Sequence, residues 1–119
     1  MNIFRFTQNN TGGVFDFTDK LTHWVYIEAD SPQEANSALK NLGGYFDGVS
    51  SDRDCSCCGD RWYSVDDHNK DEYPDKIQLE SETQALVDTY GHWAPKGQAE
   101  AYIYYKDGNK VSLFTDKVQ

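Results

Sequence analysis

Three cysteines stand within four positions, Cys55-Ser56-Cys57-Cys58, between Asp54 and the run Gly59-Asp60-Arg61-Trp62-Tyr63. Cys55 and Cys58 have the CxxC spacing followed by glycine, a turn that lets two thiolates and the backbone amides wrap a zinc ion. A structural zinc site needs four ligands. Cys57 points elsewhere in an ideal knuckle, and no second CxxC follows. His68 is the nearest candidate to complete the set, with His23, His92 or a second copy of the chain as the other sources. The competing reading is that the thiols stay reduced and packed, because cysteine behaves as a small hydrophobe. Redox catalysis is disfavoured, since Asp54 and Asp60 beside the thiols oppose formation of thiolate.

Arg53, Arg61, Trp62 and Tyr63 form a second group. An arginine beside an aromatic ring can clasp a phosphate, a carboxylate or a base by forked hydrogen bonds and stacking. With Asp52, Asp54 and Asp60 they make the candidate partner- or ligand-binding set, and a nucleotide-like molecule is the small ligand they would suit. The plainer alternative pairs the arginines with the neighbouring aspartates and sends Trp62 into the core. Nucleophilic catalysis has no comparable signal: nucleophile elbow, Walker loop and dinucleotide fingerprint are all missing. Asp66-Asp67 before His68 read as water-facing carboxylates, and His23, alternating with Trp24 along a strand, reads as structural. The expected protein is therefore not an enzyme.

Short aromatic strands and two helices must carry these residues. Ile3-Phe4-Arg5-Phe6 and Val14-Phe15-Asp16-Phe17 flank a polar, glycine-containing turn and predict a hairpin. Thr22-His23-Trp24-Val25-Tyr26-Ile27-Glu28 predicts a central strand. Ser31-Pro32-Gln33-Glu34 is a helix start, with a capping hydroxyl, proline at N1 and a carboxylate at N3. Ala35, Ala38, Leu39 and Leu42 then make one apolar face, and Gly43-Gly44 supplies the stop. A second helix is expected from Ser81, capped by Ser81 and Gln84, with Ala85, Leu86 and Tyr90 facing inward and Gly91 ending it. Residues 101–105 and 111–114 around Asp107-Gly108-Asn109 predict a closing hairpin. Between the helices, residues 45–76 form a long Asp-rich, Cys-containing loop, with Trp62-Tyr63-Ser64-Val65 as a short strand inside it. The expected fold is a single α+β domain over 1–119, a mainly antiparallel sheet with its two helices on one face.

Net charge excludes some partners. At −9 the chain lacks the basic clusters that phosphate backbones or anionic lipids require, so nucleic acid and membrane are not expected partners. No stretch approaches the roughly 20 apolar residues of a membrane span. The first residues carry no export signal, and an odd, clustered cysteine count is not a secreted disulfide framework. A cytoplasmic protein with an acidic surface suited to a basic protein partner is the expectation.

The stretches Phe4-Arg5-Phe6-Thr7-Gln8-Asn9-Asn10, Tyr45-Phe46-Asp47-Gly48-Val49, Asp54-Cys55-Ser56-Cys57-Cys58-Gly59-Asp60-Arg61-Trp62-Tyr63 and Ile103-Tyr104-Tyr105-Lys106-Asp107-Gly108 resemble a family of small proteins encoded by tailed bacteriophages. That resemblance covers most of the chain. It implies a phage product acting in the host bacterial cytoplasm, where a small acidic protein without catalytic motifs would inhibit a host protein such as an antiviral defence component. A small-ligand sequestering protein and a zinc-stabilised assembly protein are the alternatives.

Overall fold

The computed structural model describes residues 2–9, 17–51, 54, 59–66, 70–72, 76–90 and 98–114. Within them the chain runs β1 (Asn2–Thr7), β2 (Trp24–Ala29), α1 (Pro32–Asn41), β3 (Lys70–Glu72), α2 (Lys76–Tyr90), β4 (Ala101–Tyr104) and β5 (Lys110–Leu113). The strands form one sheet in the order β3-β1-β2-β4-β5. All neighbours are antiparallel except β2 and β4, which run parallel. The α+β class and the mainly antiparallel sheet follow the sequence reading.

The sheet is covered on both faces, not one. Along β2, Val25, Ile27 and Ala29 join Phe4, Phe6, Ala35 and Leu39 in a core beneath α1. The alternate residues Trp24 and Tyr26 join Ile3, Ile103, Leu79 and Val87 in a second core beneath α2. Successive strand residues point to opposite faces, so the two clusters lie on opposite sides of the sheet. The run Trp-Val-Tyr-Ile lacks the polar alternation of a half-solvated strand, which is the signature of burial on both sides.

α1 forms as its sequence dictates. Ser31 is the N-cap and its hydroxyl accepts from the Glu34 amide at 3.1 Å, with Pro32 opening the first turn. Gly43 (φ 104°) ends the helix in a conformation that costs a residue with a Cβ 1–2 kcal/mol, about. Asn36, on the helix flank, acts as a substitute peptide group for Val65: its Oδ1 accepts from the Val65 amide at 2.8 Å and its Nδ2 donates to the Val65 carbonyl at 3.1 Å. That exchange fixes residues 62–65, which are not a strand as expected; the strand of this region is β3, paired with β1.

α2 departs further from expectation. It begins at Lys76, so Ser81 and Gln84 lie inside it rather than capping it. Its buried residues are Leu79, Thr83 and Val87, one helical face at i, i+4 and i+8, whereas Ala85 and Tyr90 are exposed. Burial of Leu79 against β2 and β4 selects the earlier start; packing outweighs a local capping pattern. Thr83 secures the contact, its hydroxyl donating to the Leu79 carbonyl at 2.8 Å and lying 3.1 Å from the Tyr26 hydroxyl. Gly91 and the strand expected over 14–16 lie outside the described residues; Phe17 is not in a strand, and the sheet neighbours of β1 are β2 and β3. The final hairpin is as expected, its turn closed by Tyr105 N to Asn109 O at 2.9 Å and by Asp107, whose carboxylate accepts from the Asn109 amide at 2.9 Å.

Two independent cores make a specific prediction. Ile27→Ala empties space beneath α1 and Ile103→Ala beneath α2, so each should lower unfolding free energy by roughly 2–5 kcal/mol in urea titrations. A near-neutral result at either position would show that its face is not packed.

Candidate functional site

The shoulders of the cysteine segment rest on a buried polar network. Asp54, whose side chain is fully buried, accepts from the Tyr45 hydroxyl at 2.6 Å and from the Arg61 amide at 2.8 Å. Its own amide donates to the Gly48 carbonyl at 3.0 Å. A Cβ on Gly48 would collide with the Asp54 carboxylate, so only glycine permits this approach. The second shoulder is Asp60, which accepts from the Val49 amide at 2.8 Å. A side-chain link across the two ends holds Asp54 and Arg61 together at the base of the segment that carries the cysteines.

Arg61 is itself buried. Its Nη1 donates to Gln8 Oε1 at 3.0 Å, its Nε to the Tyr45 hydroxyl at 3.3 Å, and Nε lies 3.9 Å from Asp54 Oδ1. Tyr45 therefore bridges guanidinium and carboxylate, accepting from one and donating to the other. Burial, then the hydrogen bond to Asp54, pushes the Tyr45 hydroxyl above its ordinary pKa and keeps it a donor. Gln8 passes the link to the sheet, its Nε2 donating to the Thr22 carbonyl at 3.0 Å. Asn9 adds two bonds to the same segment, amide to Arg61 O at 2.8 Å and Nδ2 to Asp60 O at 3.2 Å.

The residues grouped by sequence thus diverge. Arg61 turns into the network, Trp62 (1% exposed) fills the core beneath α1, and Tyr63 (56% exposed) faces water. Asp54 and Asp60 each accept from backbone amides, of Arg61 and of Val49. Asp52, Arg53, Cys55, Cys57, Cys58 and His68 lie outside the described residues. Among the described residues no group of three or more His, Cys, Asp or Glu is placed to hold a metal ion. Sequence reasoning missed Gln8, Asn9 and Tyr45, the partners of Arg61 and its neighbours. They are remote in sequence from residue 61, and no local pattern marks a side chain as the recipient of a distant bond.

A second buried polar contact lies where β2 and β4 begin. Glu100 N donates to the Leu113 carbonyl at 3.0 Å and Glu100 O accepts from the Trp24 amide at 3.2 Å, fixing it between β5 and β2. Its buried carboxylate lies 3.9 Å from His23 Nδ1, and the His23 ring stacks on Trp24 with centroids 3.6 Å apart. Burial lowers the His23 pKa to about 4.

The chain belongs to the family described as a domain of unknown function (DUF7296), whose model matches residues 1–118. No curated protein and no solved structure matches it.

Asp54→Ala should destabilise the domain by about 3–5 kcal/mol, because it strands Arg61 without its carboxylate in a buried site. Denaturant titration would read this, and a loss below about 1 kcal/mol would place the pair at the surface. His23 gives a pH dependence. Its folded pKa of about 4 lies below the ordinary 6.5, so the unfolded chain binds the proton more readily. Stability from this group is complete above pH 6.5 and falls as pH drops towards 4, by up to about 3 kcal/mol, with the Glu100 side chain as the neighbour that faces it. His23→Gln should flatten that limb of a melting-temperature profile against pH; an unchanged limb would assign it to other groups.

Proposed function

We propose that the protein is a non-enzymatic binding protein that docks on a host bacterial protein in the cytoplasm and inhibits it, a component of antiviral defence being the class that the phage resemblance implies. One observation carries this reading: of the six basic residues whose side chains are described, all but the exposed Lys20 are held locally, while several acids face solvent. Arg5 pairs with Glu82 at 2.8 Å, Lys106 with Asp30 and Glu34, and Arg61 is buried with Gln8, Tyr45 and Asp54. Lys40 lies over Phe46 and Lys110 over Tyr102. Asp19, Asp47, Asp66, Glu80, Asp88 and Asp107 are exposed, on a chain of net charge −9. Such a surface attracts a basic patch over distances of about a Debye length and speeds its encounter.

Recognition of a small ligand by Arg61 and Trp62 has less support. Two Arg61 donors already serve Gln8 and Tyr45, and Trp62 is in the core. Ligand binding there would have to break bonds that hold the loop. Zinc at Cys55, Cys57, Cys58 and His68 is compatible with host-protein docking, as a brace for the segment that carries them.

The test is capture from bacterial lysate with tagged protein, at low and high salt and with or without chelator. The proposal expects one specific host protein, captured at least about tenfold less at high salt and by a variant carrying Asp47→Asn, Asp66→Asn and Asp88→Asn. Capture indifferent to both salt and neutralisation would defeat it. Loss on chelation alone would make zinc part of the docking surface.

A further inference from the structure

Two of the exposed large apolar side chains flank a single groove. Ile77 (74% exposed) stands on the first turn of α2, and Phe114 (63% exposed) follows β5. Between them is a cavity of about 300 Å³, lined also by Leu113, Thr83, Glu80 and Gln84. Ile77, Leu113 and Phe114 share this concavity with polar groups of α2, a mixed lining that can take one apolar side chain and hydrogen-bond the chain that carries it.

The groove adjoins a sheet edge. β5 is the last strand in the sheet order. Lys110 is in register with Tyr104 and Ser112 with Tyr102. The carbonyls of Asn109 and Leu113 accept bonds from the β4 side. In an antiparallel ladder alternate residues turn their backbone groups to the neighbour, so Lys110 and Ser112 turn theirs outward. Both residues are exposed.

We infer that the outer edge of β5 and the adjoining α2 groove receive an extended, basic segment of a partner protein, which pairs with β5 as an added strand and seats an apolar side chain between Ile77 and Phe114. Strand addition takes its affinity from main-chain bonds and its selectivity from pockets for alternate side chains, and this edge offers both. Charge selects the occupant. A second copy of a chain carrying −9 would be repelled, whereas lysine or arginine in the segment is drawn by that same net charge. Lys110 does not offset this, because its ammonium lies over the rings of Tyr102 and Tyr104, residues that point to the opposite face of the sheet from Ile103 and the α2 core.

This inference rests on the host-protein reading and deepens it, so its test must fail separately. The probe is a synthetic peptide alternating lysine with valine and phenylalanine, titrated into the full chain and followed by amide chemical shifts. Shifts should centre on Lys110, Ser112, Phe114 and the first turns of α2. Ser112→Pro removes an outward amide without touching a bond to β4, and Ile77→Ser removes an exposed apolar groove wall without adding charge. Each should weaken the peptide about tenfold with the melting temperature unchanged. Shifts elsewhere, or wild-type affinity in both variants, would overturn the inference. So would a dimer in sedimentation that Ser112→Pro dissolves, since the edge would then serve a second copy. If both variants still capture the host protein in a salt-sensitive way, the edge is wrong and the host-protein reading stands; if salt-sensitive capture itself is absent, that reading fails.

Discussion

β2 has no solvent face, and the rest of the architecture follows from that constraint. Five of its six residues are buried, with Val25, Ile27 and Ala29 on one side and Trp24 and Tyr26 on the other. Such a strand requires a neighbour on each edge and a covering layer on each face. β1 and β4 supply the edges, and α1 and α2 supply the layers. The aromatic content compensates for a chain with few aliphatic residues, because each ring buries a large area. Trp24 and Tyr26 alone set much of the depth of the α2-side core.

The polar network answers a different demand. The long segment after α1 carries many acids and little apolar side chain, so burial alone cannot hold it. Trp62 and Val65 are its apolar anchors in the α1-side core. Beside those anchors, Asp54, Arg61, Tyr45 and Gln8 form a chain of bonds that ends on the Thr22 carbonyl, next to β2. Buried ions are tolerated when their donors and acceptors are satisfied, and here guanidinium and carboxylate share one tyrosine hydroxyl. The segment is thereby coupled to the same strand that organises both cores.

This coupling bears on function. An arginine and a tryptophan in an acidic, cysteine-containing loop read as recognition residues, yet both are used to build the support. Chemistry-bearing side chains concentrated in sequence need not be concentrated in space. What the described residues present outward is acid on several elements, together with β5 as the outermost strand beside the groove of Ile77 and Phe114. Those features are the ones on which the proposed association with a basic protein rests.

Local physics was legible in the sequence. The cap at Ser31, proline at N1 and the stop at Gly43 each depend on residues within one turn, and so does the Asp107-Gly108-Asn109 reversal. The α+β class, the central position of β2 and the acidic surface were legible for the same reason, since they follow from composition and period. Long-range choices were not. The start of α2 was decided by Leu79 reaching the sheet, against the local capping signal at Ser81. Coverage of the second face, the pairing of β3 with β1 and the burial of Arg61 against Gln8 depend on contacts between residues far apart in sequence. Spacing encodes which way a side chain leaves its own element, whereas only the packed structure determines what stands opposite it.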